Sequence, residues 1–344
     1  MTTDQWQWTD ARELCVEGQG WTETEGPYDR LPSRAKGLVR DEVWNLSRQP
    51  AGLTVRFETD AAEIRARWEL GSDSLYHAHC PLLAHSGLDL YARTDKGQWR
   101  WVGVTREIQG CRAEASLTAG ELRPGRREFM LYLPLNNPLL ALQIGIPAGA
   151  MIGTLPPRTV KPIVCYGTSI VHGLGVSRPG MTHLAILARR LDYPVINLGF
   201  AGQAQMEPAV AELLAELDAA LFIVDPVPNM EPAWIAERAE PIMRRLSTAR
   251  SGVPIVLVED RSYPAGWLTP ELAARNASRR ESFKQAYAKL LLAGIGPLRY
   301  LEGDGLLGID GDGTSDGSHP NDLGAGRMTD ALEPVLRPLL GLPA

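Results

Sequence analysis

From residue 163 onward, short unbroken apolar runs alternate with longer segments of helical spacing, and few folds accommodate that. The runs are 163–166, 194–198, 220–224, 254–258 and 298–301, and between them 204–217, 231–249 and 269–293 repeat their apolar residues with helical periodicity. A strand apolar on both sides must be covered on both sides, and a parallel neighbour requires a crossover long enough to hold a helix. This pattern predicts an α/β region, a parallel sheet with helices on both faces. Pro270 suits the first turn of its helix, where a backbone N–H would lack an intrahelical partner anyway. Such sheets bind ligands beyond the carboxyl ends of their strands, so chemistry is sought there.

The preceding residues follow a different rule. Leu53–Phe57, Ile64–Trp68, Leu88–Tyr91 and Phe129–Leu133 alternate apolar with polar residues. That is the signature of strands with one buried face. Asp95-Lys96-Gly97 reads as a hairpin turn, and seven of the nine tryptophans precede residue 102. An all-β antiparallel sandwich is expected here. Pro147, Pro156, Pro157 and Pro162 disfavour helix and central strand between the two regions. The expected organisation is a β-sandwich domain over 1–148, a linker over 149–162 and an α/β domain over 163–344, a reasonable division for 344 residues.

The net charge of −6 offers no basic surface for a phosphate backbone, so nucleic acid is not an expected partner. No apolar run reaches the roughly 18 residues of a membrane helix, so no membrane association is expected. Met1–Trp6 lacks a basic segment leading into an apolar one, which predicts a cytoplasmic protein without a signal peptide. Cys15, Cys80, Cys111 and Cys165 have no metal-ligand spacing and are expected to remain reduced. Neither a metal nor another cofactor is expected. Oligomeric state is not legible.

Polar residues collect at the strand ends. Gly167-Thr168-Ser169 follows the first apolar run, Gly202 the second, and Asn229, in Asp225-Pro226-Val227-Pro228-Asn229, the third. Asp316-Gly317-Ser318-His319 lies beyond the fifth. A serine hydroxyl becomes a nucleophile when a base takes its proton, and the base needs a carboxylate to fix its tautomer. Ser169, His319 and Asp316 supply that set. Each motif alone is a common turn; Asn229 alone could cap a helix. Their order, on successive strand ends, carries the argument.

These four blocks, Ser169, Gly202, Asn229 and His319 with Asp316 three residues earlier, resemble the SGNH (GDSL-type) hydrolase superfamily. The preceding sandwich is similar to the N-terminal domain of a branch that includes carbohydrate esterases and an acyltransferase. Two blocks depart from the pattern: Thr168 stands where Asp is usual, and Val227-Pro228-Asn229 replaces a Gly-x-Asn-Asp. The resemblance implies a flavodoxin-like parallel sheet after a jelly-roll-like sandwich. It also implies a serine esterase whose catalytic residues are Ser169, His319 and Asp316. The oxyanion hole would be formed by the N–H groups of Ser169 and Gly202 and the Asn229 amide. The expected substrate is a short acyl ester, such as an acetyl ester, of a carbohydrate or other hydroxylated small molecule. Acyl transfer by the same residues is an alternative, as is a carbohydrate-binding protein with a vestigial hydrolase domain.

Other residues compete. His172 follows Ser169 by one helical turn but has no carboxylate nearby in sequence, and His183 reads as a packed or solvated helix residue. His77, His79 and His85 cluster without convincing metal-ligand partners. Asp310–Asp316 resembles a calcium loop superficially, but positions six and twelve hold Ser315 and Asn321 instead of Gly and Glu.

Overall fold

The computed structural model describes residues 5–343; Met1–Asp4, which the signal-peptide expectation concerned, lie outside them. In chain order the elements are β1 (Trp6–Asp10), β2 (Cys15–Glu17), α1 (Asp41–Ser47), β3 (Thr54–Thr59), β4 (Arg65–Leu70), α2 (Leu82–Ser86), β5 (Asp89–Arg93), β6 (Trp99–Val104), β7 (Arg112–Ser116), β8 (Arg127–Tyr132), β9 (Leu139–Pro147), β10 (Ile152–Thr154), β11 (Ile163–Gly167), α3 (Ser169–His172), α4 (His183–Leu191), β12 (Val195–Gly199), α5 (Pro208–Glu216), β13 (Leu221–Asp225), α6 (Pro232–Ala249), β14 (Ile255–Val258), α7 (Pro270–Leu292), β15 (Leu298–Leu301) and α8 (Asp322–Leu339).

The chain divides into two compact units. The first runs to Ser33, resumes over Ser47–Thr159 and includes Ser177–Gly180. The second holds Arg34–Leu46, Val160–Val176 and the chain from Met181 on.

The first unit contains two antiparallel sheets, ordered β1-β9-β4-β7 and β10-β3-β8-β5-β6, with β2 also paired to β3. Strand alternation explains their core. Val55, Phe57, Leu90, Phe129 and Leu131 of one sheet meet Ala66, Trp68, Ala115, Leu142 and Ile144 of the other in one buried cluster. This is sandwich packing. The Asp95–Gly97 turn joins β5 to β6, which pair antiparallel. Residues 152–154, inside the proline-rich stretch, form the edge strand β10 against β3. An edge is where a strand tolerates nearby proline.

The second unit is built on a five-stranded sheet ordered β12-β11-β13-β14-β15, with every neighbouring pair parallel. Counted from its first strand the order is 2-1-3-4-5, the flavodoxin-like arrangement, whose direction of winding reverses beside the first strand. β11 and β13 are buried throughout, as their unbroken apolar runs require. Ile163, Cys165, Leu221, Ile223, Val256 and Val258 share a core with Leu184 and Leu187 of α4 and Met328 and Leu332 of α8. Residues of opposite parity, including Val164, Tyr166, Phe222, Val224 and Leu257, are buried as well, so both faces are covered. Among the described residues no helix is long and apolar enough to cross a membrane.

Candidate active site

β11, β12 and β13 end level with one another: Gly167 is in register with Gly199 on one side and with Asp225 on the other. The loops carrying Ser169, Gly202 and Asn229 therefore leave the sheet from three adjacent strands. The winding reverses at this point, where an open α/β sheet has its crevice.

Ser169 is the first residue of the short helix α3. Thr168 caps that helix, its hydroxyl oxygen accepting from the Ile170 N–H at 3.3 Å. Threonine is a residue type that caps helix N-termini. Close packing keeps α3 against β12: a Cβ on Gly199 would lie 2.1 Å from the His172 nitrogen, which only glycine avoids. The Asn197 amide donates to the Val171 carbonyl at 2.7 Å, tying the same two elements.

The Asp316–His319 turn meets Ser169 directly. His319 Nε2 lies 2.8 Å from Ser169 Oγ, and His319 Nδ1 lies 2.6 Å from Asp316 Oδ2. The other Asp316 oxygen accepts from the N–H groups of His319 at 2.8 Å and Ser318 at 3.0 Å. Burial alone would raise the Asp316 carboxyl, but these N–H groups and the His319 ring outweigh it, and the group sits below its ordinary value. It is thus held as the anion. The arrangement can move a proton from the serine hydroxyl to the imidazole.

Gly202 and Asn229 make no hydrogen bond to these three residues. Gly202 has φ +72°, a left-handed conformation that favours glycine, and nothing lies within 4 Å of where a Cβ would stand. Its loop is anchored by the Phe200 N–H on the Gly167 carbonyl at 2.8 Å and the Met206 N–H on the Tyr166 hydroxyl at 2.9 Å. Among the described residues, the N–H groups of Ser169 and Gly202 find no acceptor. The Asn229 side-chain carbonyl is buried and likewise unpartnered. Unsatisfied groups collected at one sheet end are what a ligand site leaves open.

Beneath the Asn229 loop, Asp225 forms a two-pronged ion pair with Arg261, each side chain 2 % exposed. Burial pushes the Asp225 carboxyl upward against the pull of Arg261. Sequence inspection did not single out this pair, because its members are 36 residues apart.

The competing histidines are placed elsewhere. His172 closes α3 and His183 opens α4, both buried. Burial lowers His183 to about 3, with the Arg261 charge adding to the effect. His77 and His85 meet edge to face at 4.6 Å, and burial lowers His85 to about 4. Asp310 is held by Arg327 through both carboxylate oxygens, at 2.8 and 2.6 Å. Among the described residues no group of three or more His, Cys, Asp or Glu side chains could hold a metal ion.

One polar cluster in the first unit was read from sequence only as an alternating strand. The Asp89 carboxylate, fully buried, accepts from Arg178 Nη1 at 2.7 Å, the Gly180 N–H at 2.8 Å and Trp101 Nε1 at 2.9 Å. Arg178 also donates to the Tyr91 hydroxyl at 2.6 Å. An aspartate between Leu88 and Leu90 in a strand was the available signal.

The fold and the family models that match both parts of the chain define an SGNH-type hydrolase. The chain belongs to the GDSL-like lipase/acylhydrolase family, whose model matches residues 160–337, and is an esterase of the SGNH class. Residues 6–152 match a second model, the N-terminus of SGNH-hydrolase-type esterases, named GxDLY. Gly87-Leu88-Asp89-Leu90-Tyr91 spells that name. Among solved structures, the chain is similar to a protein from Bacteroides ovatus ATCC 8483 described as a GDSL-like lipase, with 32% identity, TM-score 0.93, and 98% of this chain and 99% of that one covered. It shares its fold with a salicylyl-acyltransferase from a tetracycline biosynthetic pathway (19% identity, TM-score 0.77, 99% and 100% covered). It also shares it with a family two carbohydrate esterase from Cellvibrio japonicus (11% identity, TM-score 0.62, 98% of each chain covered). No curated protein sequence matches it.

Proposed function

We propose that Ser169 is the nucleophile, His319 the general base and acid, and Asp316 the carboxylate that orients and charges the imidazole. Ser169 attacks the ester carbonyl while His319 accepts its proton; His319 then gives that proton to the departing alcohol, leaving an acyl-serine. Water, deprotonated by His319, attacks the acyl-serine; His319 then returns that proton to Ser169 Oγ as the acid is released, restoring the free enzyme. The N–H groups of Ser169 and Gly202 and the Asn229 amide bind the oxyanion of each tetrahedral intermediate. The observation that carries this reading is the continuous contact from Ser169 Oγ through both ring nitrogens of His319 to Asp316, at 2.8 and 2.6 Å. The unpartnered N–H groups of Ser169 and Gly202 support the oxyanion assignment.

The substrate in this proposal is a short-chain acyl ester, acetyl in the first instance, of a carbohydrate or other hydroxylated small molecule. Residues 163–344 carry the chemistry. Purified wild type and Ser169→Ala are to be assayed on p-nitrophenyl acetate, butyrate and octanoate. Turnover by wild type that falls with chain length and vanishes in the variant is the expected result. Turnover surviving in Ser169→Ala removes the nucleophile assignment, and a preference for octanoate removes the short-chain assignment.

A further inference from the structure

Ser315 takes no part in the chemistry proposed above, yet it joins the two halves of the site. Its hydroxyl donates to the Gly175 carbonyl at 2.7 Å, and its N–H donates to the His319 carbonyl at 2.9 Å. On the serine side, the N–H groups of Gly173 and Leu174 both donate to the Ser169 carbonyl, at 2.9 and 3.0 Å. A closed circuit results. From the Ser169 backbone it passes by hydrogen bond to Leu174, along one peptide to Gly175, by hydrogen bond to Ser315, and by hydrogen bond to the His319 backbone. The contact between Ser169 Oγ and His319 Nε2 closes it at 2.8 Å.

The Gly175 strap lies directly against the histidine backbone. A Cβ at Gly175, where φ is +98°, would stand 2.4 Å from the Pro320 carbonyl oxygen and 3.0 Å from His319 Cβ. The histidine turn is closed internally too: the Gly317 N–H donates to the Thr314 hydroxyl at 3.0 Å, and the Asn321 amide donates to the carbonyls of Asp312 at 2.7 Å and Thr314 at 3.2 Å. The turn is therefore stiff within itself. The Ser315 hydroxyl ties it to the strap beyond α3. Ser315 is exposed, so its hydroxyl is not there to fill a core.

We infer that Ser315 is a positioning residue that sets the separation of Ser169 and His319. This rests on the reading of those two residues as nucleophile and base. Reacting groups need to be held within a fraction of an ångström, and a displacement of about 1 Å can cost about 100-fold in rate. Without the hydroxyl the histidine turn keeps its shape but loses its fixed offset from Ser169.

The test uses the full chain as wild type, Ser315→Ala and Ser315→Thr. It measures p-nitrophenyl acetate kinetics, the rate of labelling by a fluorophosphonate, and thermal unfolding. Ser315→Ala should lower kcat and the labelling rate together by about 10- to 100-fold. KM and the melting temperature should stay close to wild type, and Ser315→Thr, which keeps a hydroxyl, should restore most of both rates. Wild-type rates in Ser315→Ala overturn the inference. So does a loss that follows a fall in melting temperature and is not restored by threonine, because that describes a merely structural residue. The underlying reading fails separately, through persistent activity or labelling in Ser169→Ala or no labelling of wild type.

Discussion

Truncating Asn229 separates catalysis from stability with unusual clarity. If its amide donates to the oxyanion, Asn229→Ala removes one donor from a preorganised set, worth about 3–4 kcal/mol in the transition state, a fall of about 10²- to 10³-fold in kcat. The ground-state ester places little charge on that oxygen, so KM should hardly move. The fold should be nearly indifferent, because the Asn229 carbonyl is buried with no hydrogen-bond partner among the described residues. Alanine removes an unsatisfied polar group instead of breaking a bond, so unfolding free energy should change by no more than about 1 kcal/mol. Asn229→Asp gives a sharper contrast: nearly the same shape, with a negative charge facing the developing oxyanion, should reduce kcat further than alanine does. Steady-state kinetics on p-nitrophenyl acetate, with thermal unfolding of the same preparations, read both quantities. Near-wild-type turnover in Asn229→Ala would refute the donor role. A large drop in melting temperature alongside lost activity would show instead that the side chain holds the loop.

Two further outcomes concern stability. Arg261→Met should cost about 3–5 kcal/mol in urea unfolding because it strands the buried Asp225 carboxylate, and adding Asp225→Asn should recover most of that loss; equal stability of the single and double variants would contradict this. His183 and His85, lowered to about 3 and about 4, take up protons in the unfolded chain below its ordinary histidine value while staying neutral when folded. Their contribution is therefore complete above about pH 6.5 and lost as pH falls toward those folded values, so unfolding free energy should fall less between pH 7 and pH 5 in a His85→Gln, His183→Gln double variant than in wild type; an equal fall in urea unfolding would refute it.

What could be read in the sequence follows from where each constraint lies. The central strands of the second unit were legible because a strand buried on both faces must be largely apolar, as in Ile163–Gly167 and Leu221–Asp225. Ser169 was legible as a candidate from its motif at the end of β11, and Asp316 and His319 from a four-residue motif that holds a carboxylate and an imidazole together. α8 was not named beforehand: Pro334 and Pro338 lie inside it and disguise its helical pattern. The short helices α1 and α2 interrupt a region that read as all-β. Asp89 and Arg178 escaped notice because their meaning depends on each other across 89 residues. Ser315 belongs to the same class, a polar residue in a glycine-rich loop whose partner, Gly175, is 140 residues earlier. Local rules find strands and motifs; they do not find pairings of this range.

The interleaving of the two units also bears on how the chain is made. Domains usually fold as units in the order they leave the ribosome, the N-terminal one first. Here the first unit cannot finish on that schedule. Its buried Asp89 waits for Arg178 and Gly180, which emerge only after β11 and α3 have been synthesised. The early segment Arg34–Leu46 waits longer still, since Arg40 is paired with Gln203 and Glu207. A nascent chain halted near residue 160 therefore holds an aspartate in apolar surroundings with its cation not yet translated. The last segment of the first unit, Ser177–Gly180, is thus made only after the first strand of the second.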